Sequence, residues 1–239
     1  MITLPPTLEV SRDVVAEREL YEKARAWLTA DERAPGIHAS DLLMPRKGYF
    51  RAVDPQPYTD RQVGLYMVGR VLHAFILGSP DLAADEGSKH NEDLGLYYSP
   101  DKIRDGVPVE VKTSRSWKEP TTFADLDIYL EQLLTYMAIE RSVEGKLWVL
   151  YLNAKDANNR TAPTFRVYNV TLSADELEAV RLQVRTLTND LSFALARKDF
   201  SALPLCPEWA CGPTECPWWR ICQPPGRYEN EVWVKRRSR

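Results

Sequence analysis

The segment Asp105–Arg115, DGVPVEVKTSR, sets valines at 107, 109 and 111 in alternation with Glu110 and Lys112. A β-strand there has one apolar face and, on the other, a carboxylate beside an ammonium. Burying or half-burying such a pair costs several kcal/mol unless something offsets it, and a metal ion is a common compensation. Upstream, SPDKI carries Asp101, which a turn at Asp105 and Gly106 would bring across a hairpin towards Glu110. Two carboxylates meeting there form an oxygen-rich site for a hard cation, Mg²⁺ or Mn²⁺, and Lys112 could orient and help deprotonate a metal-bound water. That is the chemistry of phosphodiester hydrolysis. Without a cation the same residues would be a solvated strand face whose ion pair contributes about 0–1 kcal/mol. Of the neighbouring carboxylates, Asp105 suits the turn better, and Asp93 lies too far up the strand to meet Glu110 easily.

The elements that must position these groups can be read from periodicity. LGLYYSPDKI (Leu94–Ile103) and VPVEVKTS (Val107–Ser114) alternate on either side of RDG, a hairpin. A helix is expected over Phe123–Ser142, then strands over Lys146–Ala154 and Thr164–Leu172, separated by the polar loop KDANNRTAP. Ser173 and Glu176 form a capping box opening a long helix over Ala174–Asp199. Ahead of the hairpin, Ser11 caps a charged amphipathic helix that reads as a solvated outer element. Ser40 is a second capping candidate, and Pro45 is expected to end or kink any helix there. Thr59 or Asp60 starts a helix that Gly78 stops.

Composition sets the outer limits. The 239 residues, 44% of them hydrophobic, can build one large domain or a domain with an appendage. No apolar run reaches 18 residues and the N-terminal segment lacks the pattern of a signal peptide, so a cytoplasmic protein with no membrane partner is expected. A net charge of −3 gives no global attraction to nucleic acid. Binding would have to come from local patches such as PRKGYFR (Pro45–Arg51) or the tail VKRRSR.

The order of motifs resembles the PD-(D/E)XK nucleases and, within them, the RecB-like branch. Pro100–Asp101 followed by Glu110–Lys112 looks like the signature itself; GRVLH, ending at His73, is similar to a GxxxH helix motif, and QLLTY supplies Gln132 and Tyr136 of a QxxxY motif. Any one of these occurs by chance, whereas four in order on helix, hairpin and helix are specific. The resemblance implies an α/β restriction-endonuclease-like core, a mixed β-sheet flanked by helices, and one- or two-metal nuclease action on DNA. It implies that His73, Asp101, Glu110 and the Val111 carbonyl hold Mg²⁺ or Mn²⁺, that Lys112 positions the water, and that Gln132 and Tyr136 orient Lys112 or the substrate strand. Taken residue by residue, His73 could instead be a packed core histidine, and Gln132 with Tyr136 a packing pair one turn apart. Arg46, Lys47, Arg115 and Lys118 are candidates for phosphate contacts, with solvated surface as the alternative for each.

All four cysteines fall in LCPEWACGPTECPWWRICQ, at 206, 211, 216 and 222. Such a cluster reads as metal ligands before it reads as disulfides. The spacing has none of the CxxC knuckles of structural zinc, so Zn²⁺ is the alternative rather than the first expectation. ECPWWRIC resembles the C-terminal segment of Cas4-like and AddB-type nucleases, where cysteines hold a 4Fe–4S cluster and one ligand comes from near the N-terminus. Here the matching N-terminal stretch is ASDLLMPRKGYF, with Met44 in the cysteine's place. Cys206 is expected to replace that ligand. Trp209, Trp218 and Trp219 read as packing that shields the metal more than as stacking platforms for bases.

These readings divide the chain into an N-terminal helical segment (1–36), a nuclease core (37–200) and a C-terminal cluster segment with a basic tail (201–239). The implied function is a metal-dependent exonuclease acting on DNA ends or single strands in recombination and end processing. A Cas4-like enzyme working with CRISPR-adaptation partners is the nearest rival. A catalytically silent DNA-binding or scaffold subunit is the rival of another class, and the intact Asp101, Glu110 and Lys112 speak against it.

Overall fold

The computed structural model describes residues 14–28, 33–77, 88–115, 126–155, 158–207, 210–212 and 215–222. At its centre, β4 (Val107–Ser114) buries Val109, Glu110 and Val111 together, the continuous burial of an interior strand. β3 (Lys102–Arg104) enters it through Asp105 and Gly106, whose φ values of 54° and 79° are those of the two-residue turn that an Asp-Gly pair favours. On its other side β4 pairs in parallel with β5 (Glu144–Tyr151), Glu110 opposite Leu147 and Lys112 opposite Val149. A parallel pair needs a crossover, and α5 (Asp127–Glu140) supplies it. β6 (Thr164–Thr171) then pairs antiparallel with β5, giving a mixed four-stranded sheet of order β3-β4-β5-β6.

α5 lies directly on the sheet. Leu133 and Met137 pack with Leu147, Val149 and Tyr151 in one core cluster. The approach is close enough to require glycine opposite: a Cβ at Gly145 would stand 2.6 Å from Met137 Sδ. α6 (Ala174–Arg197), capped by Ser173 and Glu176 as expected, buries Leu177, Arg181, Val184, Thr188, Leu191 and Ala194, a stripe at helical spacing that covers α5. A second cluster joins Ile37, Tyr49, Phe50, Leu96, Tyr136, Val184, Leu191 and Trp218.

The N-terminal half differs from expectation in detail. α1 (Val14–Leu28) packs against α4 (Asp60–Leu77), Arg25 meeting Asp60 at 2.6 Å. Ser40 lies inside α2 (Ala39–Leu42), and the extended residue ahead of the helix is His38, whose amide donates to the buried Asp41 carboxylate. Pro45 begins a helix instead of ending one: it is the first residue of α3 (Pro45–Val53), where its missing N–H costs nothing. Ser11, Gly78, Lys118, Trp209 and the tail VKRRSR lie outside the described residues.

The strand expected over Leu94–Ile103 is two strands. β2 (Leu96–Tyr98) pairs with β1 (Lys89–Asn91), while β3 pairs with β4, and Ser99–Pro100–Asp101 is the break between them. Pro100 has no N–H to offer a ladder, which frees the chain to turn at that point. Among the described residues no helix is long and apolar enough to cross a membrane.

Candidate active site

Period-two alternation on β4 turns Glu110 and Lys112 to the face that α5 covers. Glu110 is 2% exposed, and its carboxylate is in direct contact with the Lys112 ammonium. Lys112 Nζ also donates to Gln132 Oε1 at 2.8 Å, Gln132 Nε2 donates to the Tyr136 hydroxyl at 2.9 Å, and that hydroxyl donates to the Ser99 carbonyl at 3.1 Å. The spacing of four between Gln132 and Tyr136 puts both on one face of α5. One polar chain therefore runs from the buried strand pair along the helix to the strand break before Asp101. Ser99 is the member that sequence reading missed; the Pro after it was the available signal.

Asp101 sits at the mouth of this chain. Its Oδ2 accepts the Val111 N–H at 2.7 Å, and its Oδ1 lies 3.4 Å from His73 Nδ1, on α4. Asp101 and His73 are each about a quarter exposed, so both reach solvent while Glu110 does not. The structure thus brings His73, Asp101, Val111, Glu110, Lys112, Gln132 and Tyr136 into one neighbourhood. Glu110 Oε2 is buried without a hydrogen-bond partner among the described residues. Among the described residues no group of three or more His, Cys, Asp or Glu side chains converges as the ligand set of a single ion, at this site or at the cysteines.

The electrostatics follow from burial. Desolvation pushes the Glu110 carboxyl up to about 8, and the nearby Asp101 charge adds to it, while Lys112 opposes both. Burial works against the Lys112 ammonium as well, but the Glu110 and Asp101 carboxylates outweigh it and hold the amine above its usual range. That pull on Lys112 is at full strength once Glu110 is ionised, above about pH 8; below it the same contact is a protonated carboxyl accepting from the ammonium. Tyr136 is pushed well above the ordinary phenol range, first by burial and then by Glu110, so it stays a protonated donor.

Asp93, the distant carboxylate, is engaged elsewhere. Arg181 bonds it directly, Arg185 donates to it at 2.9 Å and Arg141 stands 3.6 Å away, and the Arg181 bond leads the effects that hold its carboxyl below the usual range. Arg115 is exposed just beyond the end of β4. Arg46 is 8% exposed, donating from Nε to Leu203 O (2.9 Å), from Nη2 to Ser201 O (3.0 Å) and from Nη1 to Cys222 Sγ (3.5 Å). Its guanidinium is committed to the cysteine segment and not turned outward to a phosphate.

Cys206, Cys211, Cys216 and Cys222 line one concavity with Arg46, Lys47, Phe50 and Trp219, and none is in a disulfide. Met44 is not part of that lining; it caps α3. Trp218 stacks on Phe50 at 6.0 Å and donates from Nε1 to Asp54 O at 2.8 Å, so it is packing, as expected. Burial raises the thiols of Cys206 and Cys216. Against it act the Lys47 amide and charge at Cys206, and the Trp218 amide and Lys47 charge at Cys216.

No protein-family model matches the sequence, and no curated protein matches it. Solved structures do resemble it. The crystal structure of SSO0001 is similar over 88% of this chain and 96% of its own, with 17% identity and a TM-score of 0.52. An alkaline exonuclease from Laribacter hongkongensis is similar over 74% of this chain and 95% of its own, at 14% identity and a TM-score of 0.41. A phage-related exonuclease from Haemophilus somnus 129PT follows, at 12% identity and 0.34 over 78% of this chain and 84% of its own. The first likeness establishes a shared fold, a mixed sheet flanked by helices; the other two superpose too loosely to carry an argument.

Proposed function

We propose that the chain is a divalent-metal-dependent deoxyribonuclease, acting as an exonuclease on DNA ends or single strands. The observation that supports this most is Glu110: a carboxylate 2% exposed, with one oxygen lacking any partner among the described residues, beside a half-buried ammonium. Fold stability alone gives no reason to bury it, because apolar residues of similar volume would serve as well or better. An orphaned carboxylate oxygen that feels the charge of Asp101 suits a hard cation. Asp101, Glu110, the Val111 carbonyl and His73 would hold Mg²⁺ or Mn²⁺. Such a cation, when bound, polarises the phosphoryl oxygens and lowers the pKa of an attacking water.

The chain's own residues do the rest. Lys112 donates to Glu110 and Gln132, which leaves the third N–H of the ammonium to meet the attacking water or a non-bridging phosphate oxygen. Gln132 fixes the direction of that ammonium, and Tyr136, anchored on Ser99, fixes Gln132. Arg115, exposed beyond β4, is suited to the phosphate backbone. We assign the four cysteines to a 4Fe–4S cluster, with Zn²⁺ as the alternative, on the strength of their shared concavity. That assignment favours the Cas4-like and AddB-type subclass and, with it, partner proteins of recombination, end processing or CRISPR adaptation.

The test is direct. Purified protein is incubated with end-labelled single- and double-stranded DNA in Mg²⁺, Mn²⁺ or EDTA, beside Glu110→Gln. Metal-dependent release of nucleotides or short fragments, absent in the variant, is expected. DNA binding without cleavage under every metal would replace the enzyme by a binding subunit.

A further inference from the structure

The first turn of α3 points two cations and a backbone donor at the cysteine concavity, and the proposed nuclease chemistry uses none of them. Pro45 occupies the first helical position and Lys47 the third, where a backbone N–H has no partner within the helix. The Lys47 N–H meets Cys206, and the Lys47 charge acts on both Cys206 and Cys216. Its Nζ reaches the Glu215 carbonyl at 3.4 Å, next to Cys216. Arg46, 8% exposed, spends its guanidinium on Ser201 O, Leu203 O and Cys222 Sγ. Three of the four cysteines thus receive an N–H or a positive charge from two adjacent residues.

The charge count gives this arrangement a purpose. Four thiolates around Zn²⁺, or around an oxidised 4Fe–4S core of the same charge, leave about two negative charges. Cys206 and Cys216 are buried, and a buried dianion without counter-charge is strongly disfavoured. Arg46 and Lys47 bring two positive charges to the same lining.

We propose that Arg46 and Lys47 are the counter-charges of a thiolate-held metal centre, and that Arg46 is also a noncovalent staple joining α3 to the cysteine segment in the absence of an N-terminal thiolate. This rests on the reading of the cysteines as metal ligands. Arg46 bridges 157 positions of sequence to Leu203 and 176 to Cys222, so the connection ties α3 to the cysteine segment without any ligand from Met44. Both residues act through the sulfurs and are not ligands themselves.

The experiment compares wild type with Arg46→Met, Arg46→Lys and Lys47→Gln, isolated anaerobically or reconstituted with ferrous iron and sulfide, or with Zn²⁺. Three readouts are taken: metal per chain, rate of metal loss to a chelator, and, for the iron form, reduction potential. Arg46→Met and Lys47→Gln should lose metal about tenfold faster or more. Removal of a positive charge disfavours adding an electron, so the potential should move to more negative values, and Arg46→Lys should recover the potential but not the full retention. Should Arg46→Met fail to fold, Lys47→Gln decides by itself, since its side chain is only half-buried. Unchanged retention and potential in a folded Lys47→Gln, or lost DNA affinity with metal untouched, overturns the proposal. A wild-type protein that takes up no metal by any route overturns the cysteine reading beneath it, a result distinguishable from the first.

Discussion

The Tyr136 hydroxyl donates to the Ser99 carbonyl at 3.1 Å while accepting from Gln132 at 2.9 Å, so one phenol ties α5 to the strand break that carries Asp101. The helix that orients Lys112 and the turn that presents Asp101 therefore keep a fixed relation. Tyr136→Phe removes both bonds and leaves the ring in place. Stability should fall by about 1–2 kcal/mol, the cost of an unpaired carbonyl and a lost hydrogen bond. Cleavage should fall more than DNA affinity, because the damage is to alignment. Kinetics and binding isotherms measured on the same preparation check this; a parallel loss of both would make Tyr136 a substrate contact.

Glu110→Gln and Lys112→Ala should each abolish cleavage while leaving DNA binding within a few-fold of wild type, since the backbone contact proposed for Arg115 remains and Lys112 would add at most one phosphate contact. His73→Ala should be milder, lowering the rate or changing the preference between Mg²⁺ and Mn²⁺, because Asp101 and Glu110 remain. The variants also differ in stability. Lys112→Ala strands a buried carboxyl and should cost more than the double replacement Glu110→Gln with Lys112→Met, in which no charge is left unpaired. Thermal melts in EDTA would show the ordering, and turnover of either single variant near the wild-type level would sink the catalytic assignment.

Glu110 also predicts a pH dependence. Burial raises its carboxyl from 4.5 to about 8 in the folded chain, so the folded state holds a proton that the unfolded state releases. The stability this contributes is fully present below pH 4.5 and is lost as the pH rises through 8. In EDTA the melting temperature should fall between pH 4.5 and about 8 and level off above, and Glu110→Gln should flatten that fall. A divalent cation must displace the same proton, so its affinity should rise with pH up to about 8 and saturate above it. Isothermal titration in two buffers of different ionisation enthalpy would count the proton released.

Much of this was legible in the sequence. Glu110 and Lys112 alternate with valines, and Asp105–Gly106 is a turn that few residue pairs make as readily, so hairpin, facing and register followed from local chemistry. The orientation of Gln132 and Tyr136 followed from a spacing of four. What escaped was set by tertiary context. Pro45 can end one helix or begin the next, and only the packing of α3 under the cysteine segment decides between them. Arg46 sits in a basic stretch that reads as a nucleic-acid patch, yet its partners lie more than 150 positions away, where no local pattern reaches. The break at Ser99–Asp101 was signalled by Pro100, but alternation on both sides disguised it as one strand.

The proposal that Cys206 supplies the ligand for which Met44 stands in the N-terminal stretch can be tested by metal content. Cys206 lines the same concavity as Cys211, Cys216 and Cys222, and its thiol feels the charges of Cys216 and Cys211; Met44 is absent from that lining and stands at the N-cap position of α3. A thioether is a poor replacement for thiolate at such a centre. Cys206→Ser should therefore lose metal as completely as Cys211→Ser, Cys216→Ser or Cys222→Ser, with the brown colour near 400 nm gone and the roughly four iron atoms per chain of a cluster lost. Met44→Ala should keep the metal and lose only packing. Because Cys216 and Trp218 belong to the same core cluster as Tyr136, metal loss should also lower the melting temperature and slow cleavage without altering the sugar or strand preference. The reverse pattern, metal stripped by Met44→Ala and kept by Cys206→Ser, would return the fourth ligand to the N-terminal segment.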